Sequence, residues 1–156
     1  MEDLRVIFLD IDGVLNDSKT CSQSPGGFTF VDTPKIRRLK RIIDATDAEV
    51  VLSSDWRYDR DDPALNADFI ALENRLAKHG IEFYGFTPNI AWDKRGLEIQ
   101  SWLDDHKGVT GFVILDDRGD MEPNLTHLVQ TKMRDGLTEE LADKAIAILL
   151  HNNKES

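Results

Sequence analysis

Asp10 and Asp12, one residue apart, come directly after the apolar run Val6-Ile7-Phe8-Leu9 and are followed by Gly13. Side chains alternate along a strand, so both carboxylates project to one side just past its end, with Ile11 turned back toward the core. Gly13 lets the chain turn there without a Cβ penalty. At about 4 Å and an effective dielectric near 20, two such charges repel by roughly 4 kcal/mol, so a cation, a shared proton or open water must offset them. A second acid pair, Asp116-Asp117, ends the run Phe112-Val-Ile-Leu115, and two hydroxyls, Ser53 and Ser54, end Glu49-Val-Val-Leu52. Lys94 and Arg95 stand where a helix begins, between the hydroxyls and the second acid pair. Together these residues are hard oxygen ligands for a divalent cation, beside a hydroxyl and a fixed positive charge able to hold a phosphoryl group. Taken singly, the acids read as a solvated turn and the serines as helix or turn caps.

Stepping from residues to elements, the run before Asp10 is apolar at every position, as in a strand of a parallel sheet buried on both faces. Ligands of such sheets bind at the carboxyl ends of the strands, where these acids and hydroxyls fall. Thr33 as N-cap and Pro34 at the first helical position start a helix, with Ile36, Leu39, Ile42 and Ile43 inward and Lys35, Arg37, Arg38, Lys40 and Arg41 as a solvated face. Asp62-Pro63 repeats that signal ahead of Phe69, Leu72 and Leu76, and Gly80 closes the helix. Ile81 to Tyr84 predicts a third strand; Ile99, Trp102 and Leu103 form one face of the helix that begins near Lys94. A weaker fifth strand falls near His127 to Gln130, and Leu141, Ala145, Ile148 and Leu149 line a final helix. Residues 17 to 33 read as a loop with a small hairpin around Phe28 to Val31, a candidate flap beside the acids.

This alternation predicts an α/β protein: a three-layer αβα sandwich around a Rossmann-like parallel sheet of about five strands, with right-handed crossovers. No repeat or linker interrupts it, so residues 1–151 read as one domain and 152–156 as a polar tail. The 156 residues are enough to bury roughly two thirds of the unfolded surface. One cysteine, Cys21, rules out an intrachain disulfide and suits a cytoplasmic location. The acidic start, Met1 to Arg5, is not a secretory signal, and no run approaches the 18 apolar residues of a membrane span. A net charge of −10 argues against broad, non-specific nucleic-acid binding, while leaving room for a small anionic substrate at a local cationic site. Trp56 reads as packing, whereas Arg57, two residues beyond the serines, is a candidate for meeting an anionic substrate. His79, His106 and His151 fall near helix carboxyl ends, a structural placement. His127 has no assigned role.

The order Asp10-x-Asp12-Gly13, a Ser ending a strand, a basic residue and then Asp116-Asp117 resembles the haloacid dehalogenase-like (HAD) superfamily, over nearly the whole chain. Leu-Ser-Ser-Asp-Trp-Arg57, Arg95-Gly-Leu-Glu-Ile99, Val-Ile-Leu-Asp-Asp117 and Gly136-Leu-Thr138 resemble the branch of small HAD-like domains found alone or fused in RNA-repair proteins. The resemblance implies a phosphatase that uses Mg²⁺ and an aspartyl-phosphate intermediate. It would make Asp10 the nucleophile and Asp12 the general acid and then base, with its backbone carbonyl on the metal. Ser53 would bond the phosphoryl oxygens, Lys94 would balance their charge, and Asp116 with Asp117 would complete the metal shell. Ser54 competes with Ser53, and Arg95 with Lys94, because an Arg before Gly is common in this branch. Asp120 is a supporting acid or a turn residue. Dehalogenases of the superfamily usually lack the second Asp, so Asp12 points to phosphoryl chemistry.

Cap domains of the superfamily enter after the first motif or between the second and third; here the first gap holds only a flap of about 15 residues and the second one helix and one strand. A capless, open site admits a phosphorylated small molecule, a nucleotide or a nucleic-acid end. The alternative is a phosphate-binding or phospho-acceptor module of the same fold with little or no turnover. A receiver-type signalling module fits less well, because the third strand ends in Gly85 with no Asp.

Overall fold

Residues 4–23, 31–90 and 94–154 are described by the computed structural model. Within them, five strands alternate with helices: β1 (Leu4–Leu9), α1 (Ser18–Gln23), α2 (Thr33–Thr46), β2 (Glu49–Leu52), α3 (Trp56–Asp59), α4 (Asn66–Ala77), β3 (Phe83–Phe86), α5 (Arg95–Asp104), β4 (Val109–Asp116), β5 (Leu128–Gln130) and α6 (Glu139–Lys154). All pairings are parallel, in the order β3-β2-β1-β4-β5. The chain builds outward from β1 to β3, then crosses to the other side of β1, so the order reverses between β1 and β4. That reversal leaves a crevice at their carboxyl ends.

Alternation along β1 divides the core as the apolar run requires. Ile7 and Leu9 pack with Ile36 and Leu39 of α2, Phe69 and Leu72 of α4 and Ala142 and Ala145 of α6. Val6 and Phe8 pack on the opposite face with Ile99 and Trp102 of α5 and with Met121. Phe8 meets Trp102 edge-on at 5.5 Å. The sandwich is thus Rossmann-like, with no separate cap among the described residues. No helix among them is long and apolar enough to cross a membrane.

Several local expectations shift. The cap position of α2 is Asp32, with Thr33 and Pro34 inside the first turn, and the Asp32 carboxylate bonds Lys35 in place of the helix end. Lys35 is not on a solvated face; it is buried between Asp17 and Asp32. Asp62-Pro63 forms a turn, its Asp62 carbonyl accepting from Leu65 and Asn66, and α4 starts at Asn66. The third strand begins two residues later than its apolar pattern suggests, because Ile81 drops into the α4 side of the core. Residues 18 to 23 and 56 to 59 are short helices that sequence periodicity is too brief to reveal. The final helix continues to Lys154. Phe28 to Phe30 of the expected hairpin lie outside the described residues.

Candidate active site

The strand tips are locked together by backbone bonds one residue beyond the sheet. Asp10 N–H donates to the Leu115 carbonyl (3.0 Å), Ser53 N–H to Leu9 (2.8 Å), Thr87 N–H to Leu52 (3.0 Å) and Thr131 N–H to Asp116 (2.9 Å). Residues far apart in sequence are therefore held as fixed neighbours, and Asp10 stands between Ser53 on one side and Asp116 on the other.

After Asp10 the chain turns tightly, with Val14 and Leu15 N–H groups on the Ile11 carbonyl. Ile11 is fully buried, as alternation predicts. Gly13 has φ +83°, and a Cβ on it would sit 2.8 Å from the Asp117 carboxyl group, so this glycine admits both the turn and the acid. The Thr131 hydroxyl donates to the Gly13 carbonyl at 2.6 Å. Gly136, with φ +62°, packs against the Asn16 carbonyl and the Lys35 stem, and Leu137 N–H donates to Val14. The Gly136-Leu137-Thr138 segment thus clamps the loop that carries the acids, and the Thr138 hydroxyl accepts from Leu141 to cap α6.

Carboxylate oxygens of Asp10, Asp116 and Asp117 lie within 4.8 Å of one another. Arg95, the first residue of α5, reaches into them: Nη1 is 2.9 Å from Asp116 Oδ2 and 3.4 Å from Asp10 Oδ2, and Nη2 is 3.2 Å from Asp55 Oδ1. Gly96 makes that approach possible, since a Cβ there would stand 2.8 Å from the Glu122 carbonyl. Lys94 is exposed at the cap position of α5. Of the two expected cations, Arg95 is the one among the acids.

Burial, then the charge of Asp116, holds the Asp10 carboxyl well above the usual aspartate range, with Arg95 only partly offsetting them. Asp116 is raised by burial, against which Arg95 and the Arg118 N–H act. Arg95 is raised in spite of burial, by Asp116 and Asp10. Arg95 is shared among Asp10, Asp116 and Asp55 while Asp117 joins the first two, so the acids outnumber the guanidinium and leave negative charge that a divalent cation can balance. Carboxylate oxygens are hard donors of the kind that suit a hard divalent cation such as Mg²⁺.

Asp12 stands apart from that cluster and is half-buried. Asn16 Nδ2 donates to its Oδ1 and Trp56 Nε1 to its Oδ2, both at 3.0 Å. Burial raises its pKa, the two donors pull it down, and Asp117 and Asp55 push it up again. Asn16 Oδ1 in turn accepts from Gly13 N–H. Sequence reasoning does not reach Asn16 or the polar use of Trp56; the only local signal for Asn16 is its place within the acid-bearing loop.

The two serines separate. Ser54 Oγ accepts from Trp56 N–H at 3.2 Å, at the start of α3. Ser53 Oγ is buried with no hydrogen-bond partner among the described residues. Arg57 does not face the acids. Its Nε donates to Thr87 O, Nη1 to Ser54 O, and Nη2 to Tyr58 and, at 2.6 Å, to Glu98. It forms a buried strut joining the tips of β2 and β3 to α5. Asp120 bonds Arg118 through both oxygens, at 3.1 and 2.7 Å. His106 and His127 stack on Trp102 and Phe112, away from the acids. A groove of about 390 Å³ lined by Ile43, Asp47, Gly80 and Ile81 lies at the other end of the sheet and shares no residue with this set.

A family model described as the HAD domain in Swiss Army Knife RNA repair proteins matches residues 6–142, from the middle of β1 into α6. Comparisons with curated proteins and with solved structures find no significant match. The match runs through every element that carries the acids, the hydroxyls and Arg95, and the chain belongs to the HAD domain family of Swiss Army Knife RNA repair proteins.

Proposed function

We propose that the protein is a Mg²⁺-dependent phosphomonoester hydrolase that works through an aspartyl phosphate on Asp10. The observation that carries this reading is the convergence of Asp10, Asp116 and Asp117, whose charge Arg95 does not balance, at strand tips next to a buried Ser53 hydroxyl with no partner among the described residues. Mg²⁺ held by Asp10, Asp116 and Asp117, with the Asp12 backbone carbonyl, would neutralise phosphoryl oxygens and keep Asp10 ionised. Ser53 Oγ donates to a phosphoryl oxygen, and Arg95 balances the remaining charge in the role first given to Lys94. A carboxylate oxygen of Asp10 attacks phosphorus as the ester P–O bond breaks, and Asp12 gives its proton to the departing oxygen. Asp12 then takes a proton from a water molecule as the oxygen of that water attacks phosphorus, the P–O bond to Asp10 breaks, and inorganic phosphate leaves.

The family description supports a phosphorylated nucleic-acid end or nucleotide as substrate, and an open, capless site suits a protruding phosphate. The charge of −10 supports recognition of an end over tracking along a backbone. The test is turnover of an aryl phosphate and of 3′- and 5′-phosphorylated oligonucleotides, with Mg²⁺ and with chelator. Metal-dependent release of phosphate that vanishes in Asp10→Asn is the expected result. Turnover indifferent to metal or to Asp10 defeats the reading, and tight Mg²⁺ binding with no turnover of any phosphate favours a binding module.

A further inference from the structure

We propose that Trp56 is a positioning residue that aims the carboxyl group of Asp12 through its indole N–H. The inference rests on the phosphohydrolase reading and deepens it. Trp56 is 8% exposed and its ring belongs to the apolar core, a duty that phenylalanine would also fill. A buried indole N–H needs a polar partner, and here the partner is Asp12 Oδ2 at 3.0 Å. Asn16 holds the other oxygen at the same distance. One N–H donor on each oxygen stops rotation of the carboxyl plane, so the remaining lone pairs of Asp12 keep a fixed direction.

The support behind Trp56 is itself rigid. Trp56 opens α3, whose first turn is fixed by Trp56 N–H on Ser54 Oγ and by the Arg57 guanidinium on the Ser54 carbonyl. Arg57 ties this turn to α5 through Glu98 at 2.6 Å, both side chains being almost wholly buried. This chain of contacts, from Glu98 through Arg57 and α3 to Trp56, gives the buried arginine a supporting use. The segment after β2 then serves the reaction twice, with a hydroxyl for the phosphoryl group and an indole for the acid.

General acid help matters most when the leaving oxygen is basic. The test is kcat/KM, which reports the step that forms the aspartyl phosphate and releases the phenol, for a series of 4-substituted phenyl phosphates, from nitrophenyl to methoxyphenyl, in wild type and Trp56→Phe. The expected loss in Trp56→Phe is about tenfold for methoxyphenyl phosphate and about threefold for nitrophenyl phosphate, as befits misaimed proton transfer. A uniform loss across the series, or none, overturns the inference, because a packing defect has no reason to follow the leaving group. In an Asp12→Ala background, Trp56→Phe should add no further dependence on the leaving group; an additional one also overturns it. Should Trp56→Phe not fold, the wild-type chain still reports: the Trp56 indole N–H resonance should move on Asp12→Ala while that of Trp102 stays, and an unmoved Trp56 resonance overturns the proposal. A wild type inactive on the whole series sinks the hydrolase reading instead, a different result from active enzyme with an indifferent Trp56.

Discussion

Two clusters of buried charge flank the loop after β1, and they are balanced in opposite ways. Lys35 sits between Asp17 and Asp32, each at 2.7 Å. Burial works against Lys35 and Asp17, yet the bonds to both aspartates raise Lys35, and those from Lys35 and Thr20 lower Asp17. At the strand tips the outcome is reversed: Asp10, Asp12 and Asp116 are all held above the ordinary range, and Arg95 does not compensate. Burial of charge is common to both clusters, so burial does not distinguish a site from a strut. What distinguishes them is the unpaid remainder, which a structural cluster removes and a ligand-binding one keeps.

The comparison breaks most sharply at Asp10. Asp10→Asn should lower turnover on the order of 10⁴-fold or more, the scale on which loss of a covalent nucleophile registers. The same change should leave thermal stability in chelator equal or higher, since it removes a buried charge repelled by Asp116. Calorimetry of both proteins without metal checks this, and a large loss of stability would place Asp10 with the struts. Lys35→Met is the opposite case. It strands Asp17 and Asp32 without their cation and should cost about 3–5 kcal/mol in urea unfolding.

The two clusters also respond oppositely to acid. A carboxyl whose pKa is raised by folding costs stability above its folded value, and that cost disappears as pH falls toward the ordinary 3.8. Metal-free protein should therefore become more stable as pH drops from 7 toward that value. Asp17, lowered by Lys35, contributes stability above 3.8 and loses it only as pH falls through its lower folded value. With saturating Mg²⁺ the first trend should invert, because protons then displace a cation that binds only the folded state. Melting temperatures from pH 7 to 4, with Mg²⁺ and with chelator, should give slopes of opposite sign. Parallel slopes would mean that the strand-tip acids hold no metal.

The sheet and the acids at its tips were legible in sequence because each rests on a short-range rule. Val6 to Leu9 reads as a strand buried on both faces, and a strand so placed ends where Asp10 begins. Lys35 was misread for an equally physical reason. Helical periodicity assigned it to a polar face, but its partners, Asp17 and Asp32, lie before the helix, where periodicity carries no information. Trp56 was read as packing, which its ring fulfils, while the bond of its N–H to Asp12 spans 44 positions and leaves no local trace. Arg57 and Arg95 looked alike as basic residues near motifs. Only tertiary structure shows that Glu98 neutralises one, while the other is shared among acids that outnumber it.

The adjacent serines repeat the same contrast in uncharged form and give the smallest effects. Ser54 Oγ has an N–H to accept, whereas the Ser53 hydroxyl is buried with no partner among the described residues. An unsatisfied buried hydroxyl costs about 1–3 kcal/mol, so Ser53→Ala should leave the protein as stable as wild type or about 1 kcal/mol more so. Ser54→Ala should lose about 1 kcal/mol, because a backbone N–H at the start of α3 is left without its partner. Affinity for vanadate should rank the other way. Ser53→Ala gives up a bond to a charged oxygen and should weaken inhibition about tenfold, equivalent to about 1.4 kcal/mol, with Ser54→Ala close to wild type. If instead Ser54→Ala loses vanadate and Ser53→Ala does not, the spare hydroxyl is a packing defect and the phosphoryl group sits on the other side of the β2 tip.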